Sequence, residues 1–154
     1  MLVRLSTTIA TICMLSSAAL AQGAVKLTDA QIAHIAYTAG QIDIEGAKQA
    51  KSKSTNKDVR AFAEQMVHDH TAVNKQALDL VHKLKVTPEG NDLSLALTEQ
   101  AADKRAELAK LNGAQFDKAY LANEVAYHLT VNGALEITLI PSATNPEDPV
   151  ANRP

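Results

Sequence analysis

Apolar residues recur at helical spacing along four stretches of the chain. In the first, Ile32, Ile35, Ala36, Ala39 and Ile42 fall three or four residues apart. Thr28-Asp29-Ala30-Gln31 precedes them as a capping box, and the polar run 52–56 closes them. The second stripe is the longest, running from Val59, Phe62, Ala63 and Met66 through Val67, His70 and Val73 to Ala77, Leu80, Val81 and Leu84. It predicts a helix over 57–85 with Thr55 or Asn56 as its cap. Thr87-Pro88-Glu89-Gly90-Asn91 then breaks the pattern, and Pro88 is the sole proline between Ala24 and Ile140. A weaker stripe over 92–112 turns Leu93, Leu97, Ala101, Leu108 and Leu111 inward, and Gly113 suits the position after it. The fourth, over 115–139, aligns Phe116, Tyr120, Glu124, Tyr127, Val131, Leu135 and Thr138. Leu121, Val125, His128 and Leu139 widen that face, and Pro141 is expected to end the helix.

The second and fourth stripes echo each other. Val67, His70, Val73 and Asn74 return as Val125, His128, Val131 and Asn132, and Phe62 returns as Tyr120. Each helix therefore presents a histidine at mid-height.

Composition adds compartment. Residues 1–21 read as a secretory signal, with Arg4, an uncharged run from Leu5 to Leu20 and an Ala19-Leu20-Ala21 cleavage site. That run is short and rich in Ser and Thr, so it is a poor spanning helix, and none is expected in the mature chain. Cys13 is the single cysteine and lies within it, so disulfides, thiolate metal sites and cysteine nucleophiles are excluded from the rest. A net charge of −2 gives no pull toward nucleic acid. Residues 141–154 carry four of the five prolines and read as a disordered tail, in which Asn145-Pro146-Glu147 starts a helix that Asp148-Pro149 breaks.

Candidate chemistry sits on the apolar stripes. His70 and His128 interrupt them, Asp43 follows Ala36 and Ala39 at helical spacing, Glu124 lies one turn before His128, and Asp69 adjoins His70. Antiparallel packing is expected to gather these groups at one level, because a buried carboxylate is costly unless paired. One reading is a satisfied polar network; the other is a metal site of imidazoles and carboxylates, suited to Zn, Fe, Cu or Mn. The Glu64/His68 pair, His34 and His82 read as surface groups, and Tyr120 and Tyr127 as core aromatics with a bonded hydroxyl. There is no Gly-x-Ser-x-Gly motif, phosphate loop or dinucleotide fingerprint.

Asp43-Ile44-Glu45-Gly46, Val59-Arg60-Ala61-Phe62-Ala63, Met66-Val67-His68-Asp69-His70, Phe116-Asp117-Lys118-Ala119-Tyr120 and Leu139–Asn145 resemble the bacterial "domain of unknown function 4142" family. The resemblance spans about 30–146. It implies an exported protein, periplasmic or at the outer membrane, with a ferritin-like helical bundle. The family continues past the Asn145 region into a further amphipathic helix with a histidine, which 148–154 replaces here. No Glu-x-x-His occurs anywhere, so a ferritin-type di-iron centre is not expected.

The expectation is an all-α, ferritin-like antiparallel four-helix bundle over 22–140, between a signal peptide and a disordered tail. Its leading function is a non-enzymatic structural or interaction module with a buried His–carboxylate network. The alternative is a periplasmic metal-binding protein with a stress-protective or redox role, its divalent ion held by Asp43, Asp69, His70, Glu124 and His128. A groove left where the family's last helix is missing would favour a homo-oligomer or a partner helix.

Overall fold

The computed structural model describes residues 26–144. The signal, the cleavage site and the Asn145-Pro146-Glu147 start lie outside them. Four helices follow one another: α1 Asp29–Lys53, α2 Lys57–Lys83, α3 Asp92–Ala109 and α4 Gly113–Ala134. No strand is present among the described residues.

The first two helix starts follow the predicted caps. Thr28 and Gln31 form the reciprocal capping box of α1. Asn56, rather than Thr55, caps α2 by accepting from the N–H groups of Asp58 and Val59. Asn91 and Ser94 make a second capping box on α3, and this decides its face: Ser94 is buried and Leu93 is exposed. The expected inward Leu93 is therefore corrected, because the cap anchors Ser94 against the core. Gly113 takes φ +53 as the chain turns into α4, a left-handed conformation open to glycine at little cost.

Pro141 does not end the last helix. The α4 chain widens into a π turn over Leu135–Leu139 and carries on through Ile140–Ser142. Proline has no N–H to donate and crowds the carbonyl four residues back. The wider turn, in which Ile140 N–H reaches Leu135 C=O, admits it without breaking the rod. The same change of phase leaves Thr138 exposed while Leu135 and Leu139 are buried. Thr144 is then tied to Asp29, its N–H donating at 2.8 Å and its hydroxyl at 2.6 Å. The start of the expected tail is thus held against α1.

Contacts at both ends set the directions. Glu89 N–H donates to Ala30 C=O, and Lys53 Nζ donates to Ala109 C=O at 2.8 Å, so α3 runs parallel to α1. Lys53 also lies over the Phe116 ring while Thr144 meets Asp29, so α4 runs antiparallel to α1, as does α2. The bundle is up-down-up-down, with α1 packed along α2, α3 and α4.

Two apolar clusters fill it. Ala47, Ala50, Val59, Ala63, Phe116 and Tyr120 belong to one, at the C-terminal end of α1. Ile32, Ile35, Leu135 and Leu139 form the other at its N-terminal end. Between them lies a polar layer. On the far side, α2 and α4 do not close on each other: Leu121, Val125 and Leu129 are 38%, 64% and 69% exposed. Leu121 and Val125, expected to widen the buried face of α4, instead line an open groove.

Candidate metal centre

The polar layer begins with α1. Asp43 follows Ala39 by one turn on the face that α1 buries, and it is 5% exposed. Because α2 and α4 run in the same direction, the equal spacing of their repeated motifs puts matching residues at matching heights. Phe62 meets Tyr120 edge-on at 6.2 Å between ring centres, and His70 meets His128 at 5.7 Å. The antiparallel bundle that the sequence predicts has this consequence, since helices two apart in the chain run the same way. It is their common antiparallel relation to α1 that brings both histidines to Asp43.

Nε2 of His70 lies 3.4 Å from Asp43 Oδ2, and Nε2 of His128 lies 4.0 Å from the same oxygen. The three ligand atoms all fall within 4.8 Å of one another. Nδ1 of His128 sits 2.9 Å from the Glu124 carbonyl. A carbonyl only accepts, so Nδ1 carries a proton, and Nε2 is the ring atom turned toward Asp43. At 4.0 Å, Nε2 of His128 and Oδ2 of Asp43 stand too far apart for a direct hydrogen bond.

Glu124 is 4% exposed and lines two recesses at once. One is a cavity of about 230 Å³ between α1, α3 and α4, which also reaches Asp43, Tyr120 and Tyr127. The other is the groove between α2 and α4, about 500 Å³, which reaches His128. Asp43 Oδ1 and Glu124 Oε2 are buried without a hydrogen-bond partner among the described residues. Burial pushes the Asp43 carboxyl up to about 7. Burial first, then the charge of Asp43, pushes Glu124 up to about 7 as well.

This donor set suits a divalent transition metal. With bonds of about 2.0–2.2 Å, tetrahedral ligand atoms stand roughly 3.3–3.6 Å apart; the Asp43–His70 separation of 3.4 Å matches this, and the Asp43–His128 separation of 4.0 Å is wider. Imidazole and carboxylate donors accommodate Zn, Fe, Cu and Mn. The bond from His128 Nδ1 to a backbone carbonyl is the outer-shell contact that orients a ligating histidine.

Asp69 stands apart from this group. Its carboxylate takes Gln65 Nε2 at 2.7 and 2.8 Å and His68 Nδ1 at 2.9 Å, on the exposed side of α2. Those hydrogen bonds, His68 foremost, hold it below the usual carboxylate range. Glu64 pairs with Lys51 rather than with His68.

Sequence reasoning missed Asn74. It is buried beside the site, and its amide donates to the Tyr37 carbonyl at 3.3 Å. Gly40 makes room for it: a Cβ there would lie 2.3 Å from Asn74 Oδ1. The repeated Val-Asn of the echoing motifs was the available signal. Tyr127 has its bonded hydroxyl, to Ala39 C=O at 3.1 Å, whereas the buried Tyr120 hydroxyl has none among the described residues.

Comparison with known proteins supplies a family. The model described as Domain of unknown function (DUF4142) matches residues 14–147. The chain belongs to that family. No curated protein and no solved structure matches it. DUF4142 membership therefore agrees with the all-α bundle and adds no activity to it. No helix of this DUF4142 chain, among the described residues, is long and apolar enough to cross a membrane.

Proposed function

We propose that this DUF4142 protein is an exported helical bundle that binds one divalent transition-metal ion between Asp43, His70 and His128, with Glu124 as a further carboxylate. The supporting observation is the convergence of His70 Nε2 and His128 Nε2 on Asp43 Oδ2, beside two buried carboxylate oxygens that lack hydrogen-bond partners among the described residues. The 3.4 Å between His70 Nε2 and Asp43 Oδ2 suits two atoms that share an ion, and His128 Nε2, at 4.0 Å, stands somewhat farther out. Export rests on the charge and cleavage pattern of residues 1–21.

Native mass spectrometry of protein purified without chelator, and of stripped protein titrated with Zn²⁺, tests the reading. The expected result is one ion per chain, lost in His70→Ala and in His128→Ala and retained in Asp69→Asn. Protein that stays metal-free after titration overturns it and leaves the histidine–carboxylate network as a structural device. Cell fractionation tests export: the expected species is periplasmic and begins at Gln22.

A further inference from the structure

The groove between α2 and α4 is apolar where a single chain would be expected to be polar. Leu121, Val125 and Leu129 recur four residues apart along the exposed side of α4. Phe62 and Met66 form the opposite wall on α2. Exposed charged residues flank this ridge, Lys118 before it on α4 and Glu136 after it in the π turn. Neither makes an ion pair among the described residues.

We propose that a second copy of this chain occupies the groove, through a two-fold interface in which α4 packs antiparallel on its counterpart. With the axis crossing the exposed face of α4 at the height of residue 127, Val125 of each copy faces Leu129 of the other. The same register sets Lys118 of each copy opposite Glu136 of the other, so two ion pairs of opposite order flank one apolar centre. A parallel arrangement would set Lys118 against Lys118 and Glu136 against Glu136, which like-charge repulsion disfavours. The isologous register makes the surface self-complementary, as a closed dimer requires. Each α4 lies over the groove of the other copy, so that α2 and α4 of both copies form the interface. The dimer would also shut the groove over His128, but its formation does not depend on a bound ion.

Sedimentation equilibrium of the protein expressed from the full sequence, in chelator and over a wide concentration range, tests the interface. A dimer is expected. Val125→Asp should give a monomer with unchanged helix content, since Val125 is 64% exposed in one chain. Lys118→Glu and Glu136→Lys should each weaken the dimer about tenfold, and the double variant should restore it, because the two reversed pairs meet again. A wild-type monomer at every concentration, as when another part of the chain fills the groove, overturns the proposal. So do assemblies that grow beyond two copies, a dimer indifferent to Val125→Asp, or a double variant no tighter than the singles. The His70→Ala variant separates the two readings: it should abolish metal binding and leave the dimer intact.

Discussion

The two buried carboxyls make a prediction about pH that runs against the usual acid denaturation of proteins. Asp43 and Glu124 titrate near 7 in the folded chain and near 3.8 and 4.5 when solvated. Between those values the folded state holds protons that the unfolded state has released. Stability is therefore greatest below the unfolded pKa values and falls as pH rises toward 7, where it levels off. At about 1.4 kcal/mol per pKa unit, Asp43 alone represents about 4 kcal/mol and Glu124 alone about 3 kcal/mol. The two are coupled, so the losses do not add. A net fall of about 3 kcal/mol between pH 4.5 and pH 7.5 corresponds to roughly 10 °C in melting temperature for a domain of this size. Exposed Asp69 and Glu107, held low by hydrogen bonds from His68 and Lys104 respectively, act in the opposite sense. Their stabilisation is lost as pH falls through their depressed folded values, below most of this window. Melting curves followed by far-ultraviolet circular dichroism, in chelator, read the difference directly. Asp43→Asn keeps the shape and removes the charge, so in chelator at pH 7.5 it should melt above the wild type. Adding Zn²⁺ should raise the wild-type melting temperature more at pH 7.5 than at pH 5, because the ion displaces the protons. A metal-free melting temperature that is flat or rising from pH 4.5 to 7.5 would refute the burial argument.

Other consequences are smaller in scope. Gly40→Ala should cost about 1–3 kcal/mol in denaturant unfolding, since its methyl would press on Asn74 Oδ1 at 2.3 Å, and adding Asn74→Ala should recover part of the loss. Tyr120→Phe should change stability by less than about 1 kcal/mol, or raise it, because the buried hydroxyl it removes has no partner among the described residues. A loss above about 2 kcal/mol would mean that the hydroxyl is bonded after all. Pro141→Ala, which restores an N–H, should leave the helix content unchanged or slightly higher, since the π turn already carries the chain through this point.

The sequence by itself determined the helices, their starts and the kinds of group that interrupt their apolar stripes. These are local matters: Thr28 and Asn56 cap because their side-chain oxygens reach N–H groups two or three residues ahead. Asp43, His70, Glu124 and His128 were legible because each stands at a core-facing spacing, where a polar group needs a reason. Helical period alone could not say how far such a face is covered. Leu121 and Val125 satisfy the same period as Phe116 and Tyr120, yet lie in the open, because no described helix covers that side of α4. Nor could it separate Asp69 from Asp43, since adjacency in sequence turns Asp69 away from His70 by about 100° around the helix. The tertiary structure decided these points through direction and neighbours. With α2 and α4 both antiparallel to α1, their repeated motifs align height for height, and Asp43 meets a histidine from each.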